Sequence, residues 1–216
     1  TVLSNIGGKT SGAVTLQNKV RIEGTVLEVT AAVVTNPSKV VASQTDTEAR
    51  VTSAADVSEG DAIAAVAKIK GIFAGGVSDS LTNLATSGNT DSKLDTITGD
   101  DPDVAITISD GTFASTSATL SAADISAVGG ATTGTVTVTN AAKIVGAASD
   151  LTNTLVTSGS SVTAATALVD ITDGTFASTS ATIAATALGD IGAKTTGVVT
   201  VTNAAKIVGA ASDLTN

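Results

Sequence analysis

The chain has 216 residues, 42% of them hydrophobic, and carries 20 acidic against 11 basic side chains for a formal net charge of -9. It has no Cys, His, Met, Trp or Tyr, which excludes disulfides, thiolate chemistry and the common zinc and nucleophile–base sites. The acidic balance makes nucleic acid an unsuitable partner, and no apolar stretch approaches the roughly 20 residues of a membrane span.

The first part of the chain is a diverged copy of the last. Ile6–Thr30 lies over Ile191–Thr215 with 11 of 25 aligned pairs identical, including a Lys-Thr-x-Gly turn in both. The anchors Ile6, Ile69, Val128 and Ile191 follow one another at nearly equal intervals. A period of about 63 residues is therefore predicted for the whole chain.

The second copy is shortened and contains an acidic stretch. A helix-like segment, "EGDAIAAVAKIKG", ends at residues 69–71, and Val77–Gly88 resembles the later Ala148–Gly159. The stretch that follows, residues 88–103, reads as a mobile acidic loop between periods. Its five carboxylates are low-affinity calcium candidates, because hard cations prefer clustered oxygen ligands. They are Asp91, Asp95, Asp100, Asp101 and Asp103. The competing interpretation is a solvated loop without a cation, since the spacing matches neither an EF-hand nor a glycine-rich nonapeptide repeat.

The third and fourth copies are nearly identical. Asp110–Asn153 and Asp173–Asn216 share 33 of 44 positions, and their last eighteen residues do not differ at all. The predicted divisions are a partial repeat at 1–48, a shortened repeat at 49–109, a full repeat at 110–172 and a partial repeat at 173–216. All four form one continuous array. Because the chain starts inside one period and stops inside another, we expect the array to extend beyond it.

The elements of one period follow from its apolar spacing. Val169–Thr172 alternates as a strand does, and Asp173-Gly174 signals a turn, as Asp110-Gly111 does in the preceding copy. A helix capped by Thr179 or Ser180 is then predicted, ending before Gly197. Its apolar stripe consists of Ile183, Ala187, Leu188 and Ile191.

Two strands and a second helix complete the period. "VVTVT" is rich in β-branched residues, and "KIVGA" is a second short strand candidate. The helix that follows is capped at Ser212-Asp213; in the preceding copy it runs from Ser149 to Gly159. Asp79, Asp150 and Asp213 are expected in first helical turns, where they complement the helix dipole.

Alternation assigns the faces of the strand "TVTVT". Its Val residues face a core that continues along the array, and its Thr residues face away, so stacked periods would place Thr137 over Thr200 and Thr139 over Thr202. The predicted core residues are Val136, Val138, Ile144, Leu151 and Leu155, with their period-mates Val199, Val201, Ile207 and Leu214.

Strands that alternate with helices favour parallel pairing through right-handed crossovers. The predicted fold is an α/β right-handed solenoid of short parallel strands and short helices, with two windings in each period. Tandem β-sandwich modules are the alternative.

The segments "TTGVVTVTNAAKIVGAASDLTN" (Thr195–Asn216) and "TLVTSG" (Thr154–Gly159) resemble repeat regions of very large cell-surface and secreted proteins of marine picocyanobacteria, the class that includes a giant swimming-related surface protein. The resemblance implies an extracellular repeat region that scaffolds or adheres, and it carries no catalytic residues.

The predicted function is structural: a repeat segment of a large extracellular bacterial surface or adhesin-like protein, used as a scaffold or spacer or in adhesion. The alternative is a repeat module that binds calcium, a glycan or ice. No catalytic or cofactor-binding residue is assigned, because Lys143 and Lys206 recur in identical contexts, as packing residues do. Neighbouring repeats, self-association and a surface glycan are the candidate partners.

Overall fold

The computed structural model describes residues 2–35, 40–157 and 162–214. The chain divides into two compact units. The first unit comprises Thr1–Asp79, Asp91–Thr107 and Ala131–Gly134. The second unit comprises Ser80–Thr90, Ile108–Gly130 and Thr135–Asn216.

The elements are short and mixed along the chain. The helices are α1 (Val2–Gly7), α2 (Val26–Val33), α3 (Val57–Ala64), α4 (Leu81–Leu84), α5 (Ser92–Asp100), α6 (Phe113–Thr116), α7 (Ala122–Ala131), α8 (Ala148–Leu151), α9 (Phe176–Thr179) and α10 (Ala185–Gly192), with a π-helical stretch at Thr152–Val156. The strands are β1 (Val14–Leu16), β2 (Arg21–Gly24), β3 (Val40–Ala42), β4 (Thr47–Val51), β5 (Ile69–Ile72), β6 (Val77–Asp79), β7 (Ala85–Thr86), β8 (Asn89–Thr90), β9 (Ile106–Ile108), β10 (Thr119–Ser121), β11 (Val136–Val138), β12 (Lys143–Gly146), β13 (Val162–Thr163), β14 (Leu168–Ile171), β15 (Thr182–Ala184), β16 (Val199–Val201) and β17 (Lys206–Val208).

The fold is mixed α/β with mostly parallel strands, as the sequence predicts. Among the described residues, the β7–β8 hairpin is antiparallel and the other registered strand pairs are parallel. The alternative of tandem β-sandwich modules is wrong for these residues, because such modules are built from antiparallel sheets.

In the first unit the chain returns to the same sheet at a regular interval. Strand β1 pairs with β3, and a three-stranded sheet has the order β2-β4-β5. Arg21 lies opposite Glu48, and Thr47 lies opposite Ile69. The stretch between two such paired positions is called a winding below; it takes 27 residues from Arg21 to Glu48 and 22 from Thr47 to Ile69.

The second unit repeats this geometry with more strands. One sheet has the order β10-β12-β14-β16, while β11 pairs with β13 and β15 pairs with β17. Thr119 lies opposite Lys143 and Lys143 lies opposite Leu168, so two successive windings are almost equal in length. The next winding, from Val169 to Val199, is slightly longer.

Equivalent sequences form equivalent elements in the last two copies. Helices α6 and α9, strands β10 and β15, and strands β11 and β16 are each separated by one sequence period. In the diverged first copy, β1 and β2 start at the positions that align with the starts of β16 and β17. The anchor Ile69 is an exception, because it lies in β5, whereas Ile6, Val128 and Ile191 lie in helices.

The predicted stacking of period-mates is wrong. The described residues between 110 and 172 form five strands, β10 to β14, and successive strands alternate between sheets. An odd number places β11 and its copy β16 in different sheets. Thr137 therefore lies opposite Thr163, and Thr200 lies opposite Asp170. At two strands for each winding, the five described strands amount to two and a half windings, whereas the sequence predicts two.

Two of the helices start with the same reciprocal cap. The Thr25 hydroxyl accepts a hydrogen bond from the Glu28 N–H, and the Glu28 carboxylate accepts one from the Thr25 N–H. Asp56 and Glu59 form the same arrangement at α3. The hydrogen bond from the Thr25 N–H lowers the pKa of Glu28. These capping boxes fix where α2 and α3 begin.

The helix predicted to start at Thr179 or Ser180 is divided. Phe176–Thr179 forms α9, and Ser180 follows it in the left-handed conformation with φ 54°. Ile183 is buried in strand β15, and α10 starts only at Ala185. The spacing of Ile183 with Leu188 and Ile191 mimics a helical stripe, although Ile183 belongs to the strand that precedes the helix.

The predicted core is confirmed for the third copy and only in part for the fourth. Val136, Ile144 and Leu151 are fully buried, and Val138 and Leu155 are nearly so. Their period-mates differ: Val199 and Val201 are half-buried, and Ile207 and Leu214 are exposed. The helix containing Leu151 begins at Ala148 rather than Ser149, and its predicted end at Gly159 lies outside the described residues.

Candidate functional site

The acidic stretch is a helix and not a mobile loop. Residues Ser92–Asp100 form α5, whose N-cap is Asp91. The Asp91 carboxylate accepts a hydrogen bond from the Lys93 N–H at 2.9 Å, and Asp95 lies in the first turn. These two carboxylates stabilise the helix start, which is their ordinary role at such positions.

Two further calcium candidates accept hydrogen bonds at the edge of a sheet. Strand β5 is the last strand of the β2-β4-β5 sheet. The Asp100 carboxylate accepts a hydrogen bond from the Gly71 N–H, and the Asp101 carboxylate accepts one from the Phe73 N–H, both at 2.6 Å. Carboxylates thus satisfy donors that another strand would otherwise pair.

Asp101 is the most buried of the predicted site residues, with 7% of its surface exposed. Burial raises the pKa of its carboxyl, and a hydrogen bond with the Asp103 carboxyl raises it further. The Phe73 N–H and the nearby Lys70 ammonium act in the opposite direction on that pKa. The net result is a raised pKa for Asp101, with burial as its largest cause.

The candidate calcium ligands are not brought together as a cation site. Within residues 2–35, 40–157 and 162–214, no group of three or more acidic side chains is placed to hold a metal ion. The Asp91 carboxylate caps the start of α5. The Asp100 and Asp101 carboxylates accept hydrogen bonds from N–H groups in and just after strand β5. The geometry gives the calcium hypothesis no support in this part of the chain.

The structure places side-chain caps between neighbouring windings. In the first unit, the Val26 N–H at the start of α2 donates to the Ser53 hydroxyl at 2.9 Å. The Val57 N–H at the start of α3 donates to the Asp79 carboxylate at 3.1 Å. Each cap comes from the next winding, 27 and 22 positions later along the chain. The start of each of these two helices is thus stabilised by a side chain that lies later in the chain.

The second unit has side-chain caps of the same kind at its helix starts. The Leu81 N–H donates to the Asp110 carboxylate, and the Ala148 N–H donates to the Asp173 carboxylate, both at 2.7 Å. The sequence predicts only turn residues at Asp110 and Asp173. The signal that could have revealed the caps is an Asp placed shortly after the end of a strand, as in "VDITD", at recurring positions.

A Thr-x-Gly turn is a second repeated contact. In each of three copies the Gly N–H donates to the Thr hydroxyl two positions earlier. These bonds are Gly12 to Thr10 at 3.1 Å, Gly134 to Thr132 at 2.9 Å and Gly197 to Thr195 at 2.9 Å. A Cβ on Gly134 would overlap the carbonyl oxygens of Asp103 and Val104, so glycine is required for this close approach to the previous winding.

Charged pairs cross the windings on the exposed side of the β2-β4 sheet. The ion pairs Lys19–Asp46, Arg21–Glu48 and Glu23–Arg50 have N–O distances of 3.1, 2.7 and 3.3 Å. Every one of these pairs joins residues 27 positions apart. The hydrogen bond to Glu48 raises the pKa of Arg21. Exposed pairs of this kind contribute little stability individually but favour one register.

A partly exposed aromatic turn recurs beside a lysine. The Lys143 ammonium lies 4.2 Å from the centre of the Phe113 ring, and the Lys206 ammonium lies 5.4 Å from the centre of the Phe176 ring. Lys143 also pairs with Asp170 at 3.8 Å. These repeated lysines cover an aromatic face, and the first of them also neutralises a carboxylate of the next winding.

A groove of about 820 Å³ opens beside α10 in the second unit. Helix α10 forms one wall with Leu188 and Gly189, and Ile207 and Leu214 form the other. The sequence does not indicate this groove, because its apolar pattern places Ile207 and Leu214 in a continuous core. The lining is mainly apolar, so the groove fits a hydrophobic segment better than a charged ligand.

Within the described ranges, the helices are all too short or too polar to cross a bilayer. Comparisons of the chain with protein-family models, with curated proteins and with solved structures each return no match.

Proposed function

We propose that this chain is a structural repeat segment of a large extracellular bacterial surface protein, where a stack of windings acts as a scaffold or spacer. The stack is a solenoid with a sequence period of about 63 residues. Each winding covers the apolar face of the one before it, so length is added without a new kind of core.

The observation that carries the proposal is the set of contacts that join one winding to the next. The registered parallel strand pairs, the caps from Ser53, Asp79, Asp110 and Asp173, and the hydrogen bonds from Thr132 and Thr133 to residues 102 and 104 link positions 22 to 31 apart. The polar contacts of Ser53, Asp79, Asp110 and Asp173 are directed to a neighbouring winding. Residues used in this way serve stacking, which supports a scaffold.

Composition supports a location outside the cell. The chain has no Met, Cys, Trp, Tyr or His, the side chains that oxidise most readily. The resemblance of Thr195–Asn216 to repeats of giant cyanobacterial surface proteins points in the same direction. Antibodies against the chain should label intact cells of its source organism, and labelling that requires lysis would contradict this location.

Lengthening the array tests the scaffold itself. A variant with residues 110–172 duplicated in tandem should gain two and a half windings, or about 12 Å at about 4.8 Å for each stacked strand. Small-angle X-ray scattering should show this increase in the longest dimension with an unchanged cross-section. A control variant with a Gly/Ser insert of equal length should instead gain flexible chain. An increased cross-section without added length would contradict the stacked arrangement.

A further inference from the structure

Of the two prolines in the chain, only Pro102 directly follows an aspartate, Asp101, in the segment between α5 and β9. An Asp–Pro bond is the peptide bond that hydrolyses most readily in mild acid. The side-chain carboxyl can close a five-membered ring on its own carbonyl carbon, and the prolyl nitrogen, part of a tertiary amide, leaves readily once it is protonated. The groups that surround this bond in the first unit therefore decide how fast it breaks.

The Asp101 carboxyl, which is the attacking group in such a reaction, is buried and held in place. The residue is 7% exposed, and its carboxyl accepts a hydrogen bond from the Phe73 N–H at 2.6 Å. A carboxyl in this setting is poorly hydrated, so it loses little solvation when it adds to a carbonyl carbon.

The carbonyl group of Asp101, which would be attacked, lies at the start of a tight turn. The Val104 N–H donates a hydrogen bond to the Asp101 carbonyl oxygen at 3.2 Å, and Pro102 takes the second position of this turn. A donor on that oxygen polarises the carbonyl and stabilises the negative charge that develops there during attack. Pro102 and Asp103 are exposed, so water reaches the bond.

The chain on both sides of the bond is anchored to the first unit. The Pro102 carbonyl oxygen accepts a hydrogen bond from the Thr133 N–H at 2.8 Å, and it accepts bonds from the Thr132 and Thr133 hydroxyls at 3.2 Å. The Val77 N–H donates to the Ala105 carbonyl oxygen at 2.9 Å, which joins a strand before the bond to a residue after it. Two pieces cut at this bond would therefore stay associated.

We propose that the Asp101–Pro102 peptide bond is a self-cleavage site, at which the Asp101 carboxyl attacks its own carbonyl carbon. A carboxyl oxygen adds to that carbon, the carboxyl proton passes to the Pro102 nitrogen, and the C–N bond breaks. Asp101 is left as a cyclic anhydride and Pro102 as a free secondary amine. One water molecule then opens the anhydride to two carboxyl groups, so the net reaction is hydrolysis of one peptide bond.

The reaction uses the carboxyl proton, so its rate follows the protonated fraction of Asp101. Burial raises the pKa of this carboxyl, and the Asp103 carboxyl raises it further. The Phe73 N–H and the Lys70 ammonium lower that pKa, and Asp100 is the neighbouring carboxylate at the end of α5. An ordinary Asp carboxyl is less than about one-tenth protonated at about pH 5, so the folded chain can gain up to about tenfold in rate there.

The test compares the intact chain with a synthetic peptide of residues 97–106, "ITGDDPDVAI", in which the same bond lacks the fold around it. Both are incubated at about pH 5 and followed by intact-mass spectrometry. The chain should give residues 1–101 and 102–216, with masses that sum to the parent plus one water. It should cleave at least about threefold faster than the peptide. The two fragments should co-elute in size-exclusion chromatography and separate on a denaturing gel.

Two isosteric variants identify the reactive carboxyl. Asp101→Asn keeps an oxygen that can accept the Phe73 N–H but removes the acid, so it should stop the cleavage. Asp100→Asn is the matched control, because Asp100 also accepts a backbone N–H but is not followed by proline. This control should cleave like the parent. Far-ultraviolet circular dichroism in the same buffer compares the fold of each variant with that of the parent.

Absence of cleavage in the intact chain would overturn the proposal. Cleavage no faster than in the peptide would also overturn it, because the fold would then protect the bond. Equal cleavage of Asp101→Asn would place the reaction on another group and overturn it as well. The proposal goes beyond the scaffold function and does not depend on it, since the length gained by the duplicated variant is the same with or without this cut.

Discussion

The two copies of the same sequence allow a core substitution with an internal control. Ile144 and Ile207 have identical neighbours in sequence, but Ile144 is fully buried and Ile207 is 43% exposed. We predict that Ile144→Ala destabilises the chain much more than Ile207→Ala. The two variants have the same composition, so strand propensity is matched in the comparison.

The expected magnitudes follow from what surrounds each side chain. Ile144 lies between Leu120 and Val169 in the registered sheet, so its truncation leaves a closed cavity. Such a loss costs about 2–5 kcal/mol, and we expect about 3 kcal/mol here. Ile207 has Ile183 on one side and the open groove on the other. Truncating Ile207 loses only part of the transfer free energy of the side chain and creates no closed cavity. We therefore expect a loss of about 1 kcal/mol.

Urea unfolding followed by far-ultraviolet circular dichroism measures both values, because the chain has no Trp or Tyr for fluorescence. The difference should be about 2 kcal/mol, larger than the error of the extrapolation. Equal losses would refute the reasoning, since they would mean that Ile207 is covered as fully as Ile144 in solution. A larger loss at Ile207 would reverse the assignment of covered and open edges.

Three further predictions concern polar and backbone contacts. Asp173→Ala should lower the free energy of unfolding by about 1 kcal/mol, because the Ala148 N–H loses its cap, and thermal melting checks this. The pKa of Asp101 is raised on folding, so the folded state binds more protons and the parent loses stability as pH rises from the ordinary Asp pKa toward the raised one. Asp101→Asn should remove that dependence in urea titrations from about pH 3 to about pH 7; an unchanged slope would contradict it. Gly134→Ala should destabilise through backbone overlap, whereas Gly130→Ala, where the new Cβ has open space in α7, should stabilise by about 0.5–1 kcal/mol in the same melting assay.

Local patterns predicted much of the fold. The β-branched runs at Val136–Val138 and Val199–Val201 are strands, and the parallel α/β class follows from their alternation with helices. The third-copy core residues are buried as expected. These features depend on side-chain periodicity, which a single sequence displays directly.

The incorrect predictions concern features that depend on contacts between one winding and the next. Ser180 in the left-handed conformation ends α9, and the sequence does not show this because Ser is an ordinary helix N-cap. The acidic stretch reads as a loop because its residues have low helix propensity. The contacts of Asp100 and Asp101 with residues in and after β5 hold the end of α5 in place, and those contacts depend on residues 29 and 28 positions away.

The strand count of the period also depends on pairing rather than on sequence. The described residues between 110 and 172 form five strands, whereas the sequence pattern indicates three in a period, and the described part of β13 is two residues long. Two residues are too few to show the alternation of apolar and polar side chains that marks a strand. Its presence nevertheless decides which copies of a residue are neighbours.

The odd number of strands decides how many copies of a repeated surface group lie in the same sheet of the second unit. An even number of strands would align every copy of a motif in one sheet, where a flat, multivalent partner such as an ice lattice could contact all copies together. With five, the threonines of "VTV" stand in one sheet at Thr137 and in another at Thr200. A partner that recognises this motif therefore finds Thr137 and Thr200 in different sheets, and binds both only if it contacts both sheets.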